Sequence, residues 1–415
     1  MGAFVSQAMD PAARRPLYAL LAANLISQIG NSLAFMAIPW FVLETTGSAS
    51  LAGVTVATGT LPVVIAGIFG GAVVDRLGYR RASVVSDLAS GITVLLIPLL
   101  HQTTGLVFWQ LLVLVFLGSV LDAPGRLARQ SVFPDLVGDA GWQIERANAA
   151  YNVTRRIAAL LGPPLAGVLI ATLGASNVLW IDAVTFAISA GIVGLAVPSI
   201  SRERESSEAG GLIRYLREVK EGFVFLRNDR LLFWMVMTFS LGSLLAEPLY
   251  AIVLPVYARE EFGSAVNLGF IFAALGAGSL VGNGLYALLG PRLSRSALFI
   301  GGFAVRAATF WVMITMPSWW VIAGVIFVEA VLFEPINPLT MTIEQERVPM
   351  GMRGRVFGVR MALEYCTLPL GVLVYGYLME RIGLQDTLLA MSVVNSTLPL
   401  AMLAMPALRT MRRPE

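Results

Sequence analysis

Gly71-Ala72-Val73-Val74-Asp75-Arg76-Leu77-Gly78-Tyr79-Arg80-Arg81 is the stretch whose reading decides the fold. It lies between two long apolar runs and turns abruptly basic. Asp75 closes the first run, where a carboxylate can face the exposed amides of a nearby helix start. Gly78 permits the positive-φ turn that sends the chain back on itself. Arg76, Arg80 and Arg81 stay in water, and short arginine-rich loops mark the cytoplasmic face of a membrane protein. The stretch is expected to form a tight basic turn at a membrane surface.

Composition agrees with that reading. Of 415 residues, 57% are hydrophobic and only 13% charged, against about 25% charged in a soluble domain. The net charge of +3 does not point to nucleic acid, because the arginines are scattered over many short loops. One cysteine, Cys366, and one histidine, His101, exclude an internal disulfide and a Cys/His metal site. Neither an acid-rich metal motif nor a nucleophile with its base is apparent, so an enzyme, a metal and a cofactor are not expected. Met1 to Arg15 is polar and the run after it is too long for a cleavable signal peptide.

Twelve apolar runs are long enough to cross a bilayer. They are Leu17–Leu43, Leu51–Val74, Ser83–Leu100, Leu106–Ala123, Ala147–Thr172 and Val178–Val197 in the first half. The second half has Leu231–Tyr257, Leu268–Leu289, Ser296–Met316, Trp319–Met341, Val356–Met379 and Thr387–Ala407. With the N-terminus inside, the inside loops and tail collect nearly all loop arginines, Arg126, Arg129 and Arg347 among them. The outside loops hold only Arg259 and Arg381, so both termini are expected in the cytoplasm. Trp109, Trp319 and Trp320 then fall at outer helix ends, as interfacial anchors do.

The expected organisation is an N-terminal six-helix bundle (1–197), a cytoplasmic linker (198–230) and a C-terminal six-helix bundle (231–415). The linker begins as a flexible mixed-charge segment, Ser201 to Glu208. It ends in an amphipathic helix with Leu212, Leu216, Val219, Phe223 and Leu226 on one stripe. The halves echo each other: Arg155 with Gly162-Pro163-Pro164-Leu165-Ala166-Gly167 aligns loosely with Arg360 and Thr367-Leu368-Pro369-Leu370-Gly371.

The spacing Gly71-x-x-x-Asp75-Arg76-x-Gly78-x-Arg80-Arg81 resembles the loop motif of the major facilitator superfamily. Gly162-Pro163-x-x-Ala166-Gly167 is similar to the fifth-helix motif of that superfamily's antiporters, with Ala166 in place of a glycine. Ile38-Pro39-Trp40, Phe133-Pro134-Asp135 and Ile181-Asp182 sharpen the likeness to its drug:proton antiporter branch, which includes macrolide-type and Tap-type multidrug exporters. The resemblance implies an all-α membrane protein of twelve transmembrane helices in two six-helix bundles. It implies export of a small amphipathic compound across the bacterial inner membrane, coupled to protons by alternating access. The bilayer is then its environment and a monomer its expected state. A lipid or metabolite transporter and an uptake symporter are the alternatives of the same fold.

It further implies a conformational latch, in which Asp75 caps the helix beginning near Val356 and Arg80 pairs with Asp122. Gly162, Pro163 and Gly167 would form a packing hinge against the opposite half. Exporters of this branch often carry an aspartate in helix 1 where this chain reads Gly30-Asn31-Ser32, which puts a first-half proton site there in doubt. Buried ionisable groups are costly in a membrane and mark function. The proton-coupling candidates are therefore Glu247, Glu334, Glu329, Glu364 and Asp182. Arg360 with Glu364, and Arg306 with Glu329, are expected to neutralise each other. Glu247-Pro248 and Glu334-Pro335 repeat one dipeptide, and each proline frees a carbonyl four residues earlier, on Leu244 and Val331. Glu247 is the favoured carrier.

Overall fold

The computed structural model describes residues 11–199 and 212–411. Within these, the side chains of 11–12, 63–72, 75, 212–216 and 218 lie outside the description. The described residues are helical, without a strand.

The first half contains α1 (Pro11–Thr46), α2 (Ala49–Leu77), α3 (Tyr79–Thr103), α4 (Phe108–Asp139), α5 (Ile144–Leu173) and α6 (Ala175–Ala196). The amphipathic α7 (Leu212–Asn228) follows. The second half contains α8 (Arg230–Ala246), α9 (Leu254–Tyr257), α10 (Ala265–Leu289), α11 (Arg295–Met313), α12 (Trp319–Phe333), α13 (Ile336–Arg347), α14 (Arg353–Ile382), α15 (Leu384–Ala404) and the short α16 (Pro406–Thr410). Eleven described stretches are long and apolar enough to span a membrane. The 29-residue α2 is the twelfth helix of the fold.

Several sequence-based bounds move. The helix before Gly78 continues to Leu77, so the turn shrinks to Gly78 alone, at φ +76°. Only a residue without Cβ tolerates that backbone cheaply. α4 is the largest correction: it runs on to Asp139, far past Ala123. Pro124 and Pro134 are carried inside it, and Phe133-Pro134-Asp135 is helix rather than loop. Arg129 therefore leaves the loop where charge counting placed it and is buried.

Two compact units arise from the chain. One is Met1–Ala34, Ile65–Gly162 and Ser176–Glu205; the other is Phe35–Val64, Pro163–Ala175 and Ser206–Glu415. The division cuts through α1, α2 and α5. In the first unit, Leu17, Leu20, Leu136, Phe133 and Val193 form a core. α3 and α4 approach closely through Gly125, where a Cβ would lie 2.8 Å from that of Ser86. Small residues at helix crossings allow such contact.

In the second unit, α2 and α14 cross at glycines. A Cβ on Gly53 would stand 3.0 Å from the Val372 carbonyl, and one on Gly376 would stand 3.1 Å from that of Ala49. At the same end Glu380 Oε2 accepts from Ser48 Oγ (2.6 Å) and from the Ser50 amide (3.1 Å), capping the start of α2. α7 meets α14 through Val219, Gly222 and Leu226, with Arg355 bound to Glu221 at 2.7 Å. The stripe expected from sequence is thus offset, since Phe223 is 40% exposed. Leu212 and Leu216 fall outside the described side chains.

Candidate functional site

Among the described residues, buried acids gather inside the helices chiefly at four places, each set by what lies opposite it. In the first unit Arg129 of α4 reaches Asp87 of α3, with Nη1 2.7 and 2.8 Å from the two carboxylate oxygens. Ser189 of α6 donates to Asp87 Oδ2 at 2.7 Å. The close α3–α4 contact at Gly125 makes this reach possible. Sequence reasoning missed the pair. Asp87 was an acid in a spanning run, and the criterion applied to the other acids would have found it.

The second and third sites belong to the second unit. Arg306 of α11 donates from Nε to Glu329 of α12 at 2.8 Å and from Nη1 to Glu247 at 3.1 Å. Its guanidinium carbon stacks 3.5 Å from the Phe333 ring centroid, and the Tyr250 hydroxyl donates to Glu329. The expected Arg306–Glu329 pair is present, and Glu247 shares the same arginine. In the other cluster, Arg360 lies 3.3 Å from Glu344 and 3.5 Å from Glu364. Glu344, 1% exposed, was not singled out from sequence. Buried charges without a counter-charge cost several kcal/mol each, so each arginine is what allows its two acids to be there.

Both Glu-Pro dipeptides break their helices. Glu247 is the last-turn cap of α8, followed by a π-helical turn, Leu249–Val253; Glu334 caps α12, and α13 restarts at Ile336. The freed carbonyls are not left open. A Cβ on Gly371 would collide with the Leu244 oxygen, and one on Gly282 would collide with that of Val331. Each carbonyl therefore sits against a glycine face of a neighbouring helix, close enough for Cα–H···O contact. Glu334 has no arginine at contact distance among the described residues; Asn337 Nδ2 donates to it at 3.3 Å.

The fourth site is Asp182 on α6, 0% exposed. Thr185 Oγ1 stands 3.3 Å from its Oδ1, and its Oδ2 has no partner among the described residues. Opposite is Gly30 of α1, where a Cβ would collide with Asp182 Oδ1 and Thr185 Oγ1. The glycine of Gly30-Asn31-Ser32 is therefore what admits an acid from α6.

The remaining motif residues divide. Arg76 and Arg81 are exposed. Gly71 and the Asp75 carboxylate lie outside the described side chains, so the capping expected of Asp75 does too. Arg80 does not meet Asp122: it donates to the Gly194 carbonyl, while Asp122 Oδ2 pairs with Arg126 at 3.1 Å one turn along α4. An i,i+4 partner on the same helix is always in reach. In α5, Gly162 faces Ser32 of α1, with 2.5 Å to the serine Cβ from an added one. Gly167 instead faces the Ala265 carbonyl, at 2.5 Å from an added Cβ, and Pro163 covers Gly269 of α10. The two motif glycines thus serve different partners.

Residues 20–371 match the sequence model of the Major Facilitator Superfamily. The chain belongs to the major facilitator superfamily. It is a multi-pass membrane transporter of small molecules, not an enzyme. It is similar to the multidrug efflux pump Tap of Mycolicibacterium fortuitum, with 31% identity over 95% of this chain and 97% of that one. Macrolide efflux protein A of Streptococcus pyogenes is 22% identical over 88% of this chain and 90% of its own length. In three dimensions the nucleoside transporter NupG matches with TM-score 0.75 at 14% identity, over 94% of this chain and 98% of that one. That likeness carries the twelve-helix major facilitator fold.

Proposed function

We propose that the protein exports small amphipathic compounds, drugs or antibiotics among them, across the bacterial inner membrane in exchange for protons. The single observation that supports this most is 31% identity to a multidrug efflux pump along almost the whole of both chains. Two six-helix bundles alternate access to a central path, both termini lie in the cytoplasm, and a monomer suffices. The interlocked glycines of α5 and α10, and the helix breaks at both Glu-Pro dipeptides, fit a molecule that moves by repacking rigid helices. In the latch reading, Arg80 and Asp122 exchange their present partners for each other when the cytoplasmic side closes. Expression in an exporter-deficient bacterium tests the reading. Raised resistance to a subset of antibiotics, abolished by a protonophore, is expected; unchanged susceptibility across a broad panel refutes it.

A further inference from the structure

We propose that Asp182 is the proton-binding group of this transporter, holding its proton in the conformation seen here; the proposal rests on the proton-antiport reading. The hydroxyl of Thr185 carries the first argument. It has one hydrogen to give, and its Oγ1 lies 2.7 Å from the Asp182 backbone carbonyl, which takes it. The 3.3 Å contact between Oγ1 and Asp182 Oδ1 then places lone pair against lone pair unless the carboxyl supplies a hydrogen. A protonated Asp182 donating to Thr185 satisfies both contacts; an ionised one satisfies one.

Charge is the second argument. The four acids at contact distance from arginine in the second unit, Glu247, Glu329, Glu344 and Glu364, have their counter-charge supplied. Asp182 has none among the described residues. From α3, Asp87 is already bound to Arg129 of α4. Also on α4, Asp122 is bound to Arg126 and acts on Asp182 as a like charge. α1 presents Gly30, and residues 63–72 of α2 include no ionisable type. A bare carboxylate here would be buried without a cation among the described residues, an arrangement that low-dielectric surroundings strongly disfavour.

The third argument is a route. Ser27 stands three residues before Gly30 on α1, on the same face, and Asn24 three residues before Ser27. Both are buried, 1% and 5% exposed, and Ser27 Oγ and Asn24 Nδ2 have no partner among the described residues. Both lie between Gly30, which faces Asp182, and the N-terminal end of α1, with hydrogen-bonding capacity to spare for a passing proton. In the cycle, the Asp182 O–H bond breaks heterolytically and the proton passes to a water molecule, leaving the carboxylate; uptake from the other side reverses the step. This moves the coupling role from Glu247, which is held by Arg306, to an acid that no arginine holds among the described residues; Glu334, also without an arginine, has an amide donor in Asn337 Nδ2 at 3.3 Å, which Asp182 lacks.

Infrared spectroscopy of the purified full-length protein tests the assignment without a substrate. The wild type should show a carboxylic-acid C=O band that disappears in Asp182→Asn and shifts in Thr185→Val. The amide introduced by Asp182→Asn keeps an N–H donor towards Thr185, so the fold should persist. A band identical in wild type and Asp182→Asn overturns the proposal. Ethidium, whose charge does not change with pH, then serves as probe in weakly buffered solution. Proton release on ethidium binding should occur in the wild type and be lost in Asp182→Asn. Undiminished release from Asp182→Asn overturns the proposal while leaving antiport standing. If ethidium is neither bound nor exported, the export reading loses its support and the infrared band alone decides on Asp182.

Discussion

Asp182 and Glu329 are carboxyls of nearly equal burial, 0% and 1% exposed, each on a membrane helix. Their surroundings separate them. Glu329 accepts from Arg306 at 2.8 Å and from Tyr250, and the arginine is itself seated on Phe333. Asp182 has a threonine that is already donating elsewhere, a glycine opposite, and one oxygen without a partner among the described residues. Burial raises the stakes for an acid but does not say what it does. The partner decides: Glu329 has its counter-charge supplied by Arg306, whereas the proposed proton carrier Asp182 has only a hydroxyl beside it among the described residues.

The largest expected effect breaks the anchored side. Arg306→Met strands the fully buried Glu329, takes the arginine from the more exposed Glu247 as well, and should lower stability by about 3–5 kcal/mol, read as thermal unfolding in detergent. Adding Glu329→Gln should recover most of that loss, and failure to recover would mean that Arg306 is needed for more than charge. Gly30→Ala comes next. Its methyl group has to displace Thr185 Oγ1 and Asp182 Oδ1, an overpacking that costs about 1–3 kcal/mol. The acid C=O band should shift with it, and an unmoved band would place Asp182 away from α1.

Glu380 is an intermediate case, an exposed carboxylate whose partner is a helix start. Glu380→Ala removes that cap from α2 and should cost about 1 kcal/mol in the same melting assay. Asp182→Asn should have the smallest effect, because a neutral amide of the same shape takes the place of a neutral carboxyl and keeps a donor towards Thr185. A loss as large as that of Arg306→Met would show that Asp182 balances a cation, and the comparison with Glu329 would fall.

Much of this was open to inspection in the chain. The long apolar runs, the turn at Gly78 and the pairs Arg306–Glu329 and Arg360–Glu364 all follow from local pattern or short spacing. The misses share a cause, which is that they depend on a neighbour distant in sequence. Arg129 looked like a loop charge because nothing in its own segment announces Asp87, 42 residues earlier. Phe223 looked buried because the stripe was drawn from hydrophobicity alone, while Gly222 is what brings α7 against α14. Gly162 and Gly167 looked like one hinge, yet they face α1 and α10 respectively.

What the sequence determined alone is the helical membrane architecture. In a bilayer, every backbone group has to be satisfied within its own helix, so the length and polarity of each run leave little choice. It also determined which acids had to be explained, because a charge in an apolar run is costly wherever the helix packs. Only the tertiary structure decided which acids are balanced. An ion pair needs two side chains within about 4 Å, and that distance is set by how glycine faces let helices approach. At Gly125 the approach brings Arg129 to Asp87, and at Gly30 it closes α1 over an acid that no arginine reaches among the described residues.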